Sequence, residues 1–304
     1  MRRRPSRLVA VTAAVLAVAG CEARVYGTPP VDAPKLIVIA PQGSMAPLPE
    51  ASPDGPVASF HALDARTRQA TAEAASKGAD LTTVVLDRST GQRITNGNGR
   101  GIAVASVVKL FIADDLLLRG GPLSPDDQKL FESMLRSSDD SAAEVFWNRG
   151  GGSAIITRVA GRYGLSGTRA PGNGRWFNTI STAADLVRYY DMMLSGAGGL
   201  PRDKADIIVE NLAKSSPTGI DGMMPGGVYP QRFGIPEGLY AEPVAVKQGW
   251  MCCIGSDWMH LSTGIIGADH RFVMAIASDQ PAGAAEARTT ITQAVKTMFP
   301  RGRI

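Results

Sequence analysis

Between residues 106 and 214 one helical pattern follows another with no strand pattern among them, yet strand patterns stand on both sides of that block. Ser106 to Arg119, a helix started by Ser124-Pro125-Asp126-Asp127, Ser141 to Asn148, Ala154 to Tyr163, Thr182 to Leu194 and Asp203 to Lys214 all carry apolar residues at helical spacing. The Ser124 segment combines a capping hydroxyl, proline at the first helical position and two acids in the first turn. Before the block, Val57 to Lys77 reads as a helix, Leu81 to Asp87 as a strand, Ser89-Thr90-Gly91-Gln92 as a turn and Arg93 to Thr95 as a second strand. After it, Pro243 to Gly249, Trp258 to Ile266 and Arg271 to Ser278 read as strands and Ala284 to Met298 as a closing helix. Isolated hairpins are marginal, so the early strands must rejoin the late ones in one sheet. The expected fold is a two-lobed α/β (α+β) domain: a five-stranded, mainly antiparallel sheet flanked by the terminal helices, with an all-helical lobe beside it. The sheet lobe would comprise about 57–105 and 215–304, the helical lobe about 106–214, and a cleft would run between them.

The first twenty residues read differently. Arg2, Arg3, Arg4 and Arg7 precede an apolar run from Leu8 to Ala19 that is too short to span a membrane in a mature protein. The run closes on Leu16-Ala17-Val18-Ala19-Gly20-Cys21, which resembles a bacterial lipobox. That resemblance implies export, cleavage before Cys21 and attachment of acyl chains of the palmitate type to it, and more than one chain holds a protein stably on a membrane. An ordinary signal peptide beside a chance cysteine is the other reading. Residues 21–56 carry eight prolines and few aromatics, the composition of an extended tether, with Lys35 to Ala40 able to form a short strand. The four signal arginines account for the whole formal charge of +4. The mature chain is therefore near neutral, which removes the electrostatic reason to expect nucleic acid as a partner.

Ser106 and Lys109 form the single S-x-x-K pair of the chain, where an extended pattern gives way to a helix. A spacing of three puts both side chains on one helix face, and a desolvated lysine can take a proton from a serine nucleophile. Taken alone, the match is weak, since a capping serine beside a solvated lysine is the commoner arrangement. Two further fragments follow. Ser138-Asp139-Asp140 lies at a turn between helices, where helix capping is the plainer reading. Lys247-Gln248-Gly249-Trp250 lies on a strand, with a glycine that permits close backbone approach.

In this order the three fragments resemble the S-x-x-K, S-D-N and K-T-G or K-S-G elements of the class A serine β-lactamase and penicillin-binding superfamily, in a degenerate, actinobacterial-type envelope lipoprotein form. The resemblance covers about residues 57 to 300, including Ala142-Ala143 and the segment Asn178 to Thr182. It implies Ser106 as acylated nucleophile, Lys109 as its base and Ser138 as proton shuttle. It further implies Asp140, Lys247, Gln248, Gly249 and Trp250 around the substrate, with the N–H groups of Ser106 and Trp250 as oxyanion hole. A β-lactam or a peptidoglycan-type peptide is the implied ligand. Three departures stand out. Asp140 replaces an amide and, ionised, only accepts hydrogen bonds. Gln248 replaces a hydroxyl residue. No Asp or Glu lies between Glu144 and Asp185, the interval where class A enzymes keep the glutamate that activates the deacylating water. The expectation is weak or absent β-lactam hydrolysis with slow acylation at Ser106; the alternative is a non-catalytic binding or structural lipoprotein that keeps the fold.

Other chemistries lack their residues. His61, His260 and His270 form no metal pattern, no G-x-S-x-G elbow is present, and Gly150-Gly151-Gly152 lacks the lysine of a phosphate loop. No cofactor or metal is expected. Met192-Met193 and Met223-Met224 read as core filler and loop anchors. Cys252-Cys253 allow either a strained vicinal disulfide or two packed thiols.

Overall fold

The computed structural model describes residues 56–221 and 226–304. The signal segment, Cys21, the proline-rich tether with its candidate strand, and Met223-Met224 lie outside the described residues. In chain order the elements are α1 (Pro56–Ala75), β1 (Asp80–Asp87), β2 (Arg93–Asn96), β3 (Ile102–Ala103), α2 (Lys109–Arg119), α3 (Pro125–Arg136), α4 (Asp140–Arg149), α5 (Ala154–Tyr163), β4 (Ile180–Ser181), α6 (Ala183–Ser195) and α7 (Arg202–Ala213). There follow β5 (Thr218–Asp221), β6 (Gly227–Pro230), α8 (Ile235–Gly238), β7 (Val244–Ile254), β8 (Asp257–Ile266), β9 (Phe272–Gln280) and α9 (Ala284–Met298).

The main sheet runs β2-β1-β9-β8-β7 with every neighbouring pair antiparallel, so the strands from the two ends of the chain do meet, at the β1/β9 pairing. Side chains alternate across it as the two-residue repeat of a strand requires. Val84, Leu86, Val273, Ala275 and Ala277 face the core shared with the helical lobe, whereas Leu81, Val85, Met274 and Ile276 face the core beneath α1 and α9. Both faces are covered, and for that reason these strands read as nearly unbroken apolar runs. On the helical side α2 is the central element, with Leu110, Phe111, Ile112 and Ala113 buried on all sides. Burying each of the larger ones contributes about 1.5–3 kcal/mol relative to exposure.

Local chemistry sets the helix ends. Ser124 caps α3, accepting from the Asp127 N–H at 3.2 Å, with Pro125 at the first helical position. Thr182 caps α6 in the same way through Asp185 N–H at 3.0 Å. Gly164 ends α5 with φ 61°, a left-handed conformation that suits glycine. The two-stranded β3/β4 ladder pairs Ile102 with Ser181 and Ala103 with Ile180, tying the start of the helical lobe to the segment that precedes α6. The β5/β6 hairpin is a feature that the sequence patterns do not reveal.

Candidate active site

The residue before Ser106 decides how the serine is presented. Ala105 adopts φ 44°, which costs energy for any residue with a Cβ and sets the entry to the turn that carries Ser106. Ala105 to Val108 form one 3-10 turn in place of the helix start expected at Ser106, and α2 begins at Lys109. Ser106 keeps about 8% of its surface exposed while Lys109 is wholly buried. Ser138 is the second strained position, at φ 58°. It does not cap a helix. Asp139 does, accepting from the N–H groups of Ser141 and Ala142 at 2.9 and 3.1 Å, which frees Ser138 to turn inward and sets Asp140 at the first residue of α4.

Four oxygens surround the Lys109 amine. Its Nζ donates to Ser106 Oγ at 2.8 Å, to the Ser138 carbonyl at 2.7 Å and to Asp140 Oδ1 at 2.6 Å, and Ser138 Oγ stands 3.3 Å away. An ammonium has three protons, so the longest of these contacts is the one left over. Ser138 Oγ is held instead by Lys247, whose Nζ donates to it at 2.7 Å from β7. A connected path thus runs Ser106, Lys109, Ser138, Lys247. The ring of Trp176 covers the Lys109 amine from the other side, 4.7 Å from its centroid, and the Trp176 indole N–H is held by Glu144 at 3.0 Å.

Ser106 and Asp140 open onto a cleft of about 370 Å³. Trp176, Phe177 and Asn178 form one wall, and Ile220, Trp250 and Met251 the other. Gly249 has the close approach expected of it: a Cβ there would sit 2.6 Å from the Val104 carbonyl, at the entry to the serine turn. Trp250 stacks on Tyr229 of β6, ring centroids 4.7 Å apart and planes 10° off parallel. Gln248 does not join the cleft. Alternation along β7 sends it to the opposite face from Lys247, where its amide donates to the Phe233 carbonyl at 2.5 Å. Lys247 is also absent from the cleft wall, lying beneath Ser138 with 1% of its surface exposed. Sequence patterns did not single out Trp176, Phe177 or Ile220 as site residues. The available signal was an aromatic pair in a loop rich in glycine, Pro171 to Asn178, where nothing about helix or strand formation calls for two large rings. The side chain of Cys253 lies outside the described residues, and with it the choice between a vicinal disulfide and packed thiols.

No protein-family model matches the chain. It is 57% identical, over 321 aligned positions covering all of both chains, to proteins named "Putative lipoprotein LppW" from Mycobacterium tuberculosis (strain ATCC 25618 / H37Rv) and Mycobacterium bovis (strain ATCC BAA-935 / AF2122/97). The chain belongs to the LppW family. Among solved structures, the β-lactamase from Streptomyces albus G superposes with TM-score 0.61 at 16% identity, covering 78% of this chain and 98% of that one. A β-lactamase from Chitinophaga pinensis DSM 2588 gives TM-score 0.58 at 14% identity, with 77% and 98% covered. The fold of this LppW relative is therefore β-lactamase-like.

Burial dominates the electrostatics of the site. It pushes the Lys109 amine below the usual lysine range, and the facing Asp140 carboxylate opposes that shift without cancelling it. Lys247 is pushed down further, first by burial and then by the nearby charge of Lys109. Both amines are thus closer to the neutral form that can accept a proton than a surface lysine would be. Among the described residues lining the cleft, Asp140 is the one carboxylate. Glu144, the next acid along α4, holds Trp176 Nε1 and also accepts from Asn148 at 3.2 Å. Among the described residues no group of His, Cys, Asp and Glu converges as a metal site, and no helix is long and apolar enough to cross a membrane.

Proposed function

We propose that this chain is an exported lipoprotein, anchored through Cys21 on the outer face of the cell membrane, whose β-lactamase-like domain is acylated at Ser106 and releases the acyl group slowly. The reading rests above all on the 2.8 Å contact between Lys109 Nζ and Ser106 Oγ at the floor of an open cleft. In the neutral form Lys109 takes the Ser106 proton as Oγ attacks a carbonyl carbon. Ser138, between the two amines, passes a proton to the leaving group. The N–H groups of Ser106 and Trp250 face the developing oxyanion. Release is slow because Asp140, the one carboxylate among the described residues lining the cleft, is engaged by Lys109, which leaves no second acid among them to activate water.

Intact-mass spectrometry tests this after prolonged exposure to penicillins, cephalosporins and an activated carboxylic ester. An adduct on Ser106 that is lost in Ser106→Ala and decays over hours is expected. No adduct from any of these, or one that survives Ser106→Ala, would refute the reading. For the anchor, Cys21→Ala should move the protein out of the detergent phase. A second reading, ligand binding without turnover, is favoured by the 2.6 Å pairing of Asp140 with Lys109, which stabilises the ammonium form. Turnover of any ester or amide that disappears in Ser106→Ala would exclude it.

A further inference from the structure

A cleft that recognises a carboxylate gains from a cation exposed on its wall, and among the described residues lining this one no side chain is cationic, Asn178 being the one amide. Its two amines lie below the floor, with Lys109 wholly buried and Lys247 1% exposed, and each is engaged inside the site. Among the described residues lining the cleft the one charged side chain is acidic: Asp140, about a third exposed. Gln248, the polar side chain on β7 nearest these groups in sequence, is turned to the far face of the sheet. The side of the cleft near β7 is filled with rings. Gly219 of β5 packs so tightly that a Cβ would stand 2.7 Å from the Trp250 ring, and Tyr229 stacks behind that ring. What remains on the walls is Trp176, Phe177, Ile220 and Met251, with Asn178 and Cys252 beside them, a largely apolar surface.

We propose that the cleft takes an acyl donor whose acyl group is apolar and uncharged, an aliphatic or aromatic ester, and discriminates against donors that carry a carboxylate. This rests on the reading of Ser106 as the acylated residue and specifies its substrate class. The exchange is balanced. Ser106 Oγ forms a bond to the carbonyl carbon and gives its proton to Lys109. The ester C–O bond then breaks, the departing alkoxide takes a proton by way of Ser138, and acyl-Ser106 and a free alcohol result. Water later cleaves the acyl-serine to the free acid and restores the hydroxyl. Like charges facing each other in a partly desolvated cleft repel, so a carboxylate on the acyl chain opposes Asp140, with no cation among the described residues of the cleft wall to attract it. Apolar acyl chains instead gain by covering the aromatic walls.

The test compares two activated esters of equal chain length, p-nitrophenyl hexanoate and the mono-p-nitrophenyl ester of adipic acid. Acylation is followed by the nitrophenolate burst and by intact mass, with Ser106→Ala as the blank. The hexanoate should acylate about tenfold faster or more, the factor for one like-charge contact in a semi-exposed cleft. Asp140→Asn should narrow that ratio. Ile220→Lys, at a position already 39% exposed on the cleft wall, should raise the adipate rate relative to hexanoate by about fivefold. Equal or faster acylation by the adipate ester in the unmodified protein would overturn the inference while leaving Ser106 as the acylated residue. No acylation by either ester, together with no adduct from any β-lactam, would overturn the site reading and the inference with it.

Discussion

Gly249→Ala tests the geometry of the site most directly. The Cβ added there would lie 2.6 Å from the Val104 carbonyl, 3.3 Å from Val107 Cγ2 and 3.4 Å from Ala105 Cβ. The nearest of these is a backbone atom two residues before Ser106, so no rotamer change relieves it. Either β7 or the serine turn must move by roughly 0.5–1 Å to restore van der Waals separation. Overpacking of this kind costs about 1–3 kcal/mol. For a domain of this size each kcal/mol moves Tm by about 2–4 °C, so a fall of about 2–12 °C is expected. The displacement also separates the Ser106 and Trp250 N–H groups, and misplacement by about 1 Å can cost about a hundredfold in rate. Thermal unfolding and the rate of Ser106 acylation are the two readouts. Gly238→Ala is the matched control: its Cβ would clash with Val295 on α9, away from the cleft, so it should lose stability while retaining acylation once folded. Gly172→Ala, with open space at its Cβ, should change neither. A Gly249→Ala protein with unchanged Tm and acylation would refute the close approach of β7 to the serine turn.

Three other outcomes follow from the same structure. Asp140→Asn removes the carboxylate that favours the protonated amine, so the limb of the pH–acylation profile that reports Lys109 should move to lower pH, with about a tenfold gain at fixed pH for each unit of movement; an unmoved or alkaline-shifted limb would contradict the pairing. Asp87 is held well below the usual carboxylate range, first by Arg271, which donates to it from both Nε and Nη2 at 2.8 and 2.6 Å, and by Ser89. Its contribution is therefore full above the unfolded value near 3.9 and is lost as pH falls through the lower folded value; Asp87→Asn should cost about 1–3 kcal/mol in urea unfolding at pH 7 and flatten the stability profile between pH 5 and pH 2. Ser124→Ala removes the cap of α3 and should cost about 1 kcal/mol in the same assay, with no effect on Ser106 acylation.

The helices and the main sheet were legible because their signals are periodic and local. Ser124, Thr182 and Gly164 mark their ends by chemistry that acts within one turn. The return of β1 to β9 was legible from the need of a lone hairpin for neighbours. The β5/β6 hairpin was not, since Pro217 to Pro230 is rich in glycine and proline, and its pairing is held by stacking of Tyr229 on Trp250, a contact between residues far apart in the sequence. The site divides in the same way. Ser106, Lys109, Ser138 and Lys247 stood out by order and spacing, and the structure brings them together, Lys109 on Ser106 Oγ and the Ser138 carbonyl and Lys247 on Ser138 Oγ. The direction of Gln248 follows from strand alternation relative to Lys247. Its partner, the Phe233 carbonyl, could not be foreseen. Asp139 rather than Ser138 or Asp140 caps α4, a distinction that depends on the backbone angle at Ser138 and not on residue type.

Charge inventory ties Asp140 to the rest of the site. Two amines share one buried network, and a second ammonium in that space would repel the first with little water to screen it. Asp140 is the carboxylate positioned to offset one of them, and it faces Lys109. Proton binding by Lys109 and Lys247 is therefore coupled through Ser138, and the pH dependence of acylation belongs to the pair rather than to either residue. An amide at position 140 leaves Lys109 with the weaker influence of Asp139 as its remaining negative charge and drives the pair toward neutrality. A carboxylate there holds one proton in place and, at the same time, puts a negative charge on the cleft surface. One residue thereby sets both how readily Ser106 loses its proton and which acyl groups can approach it.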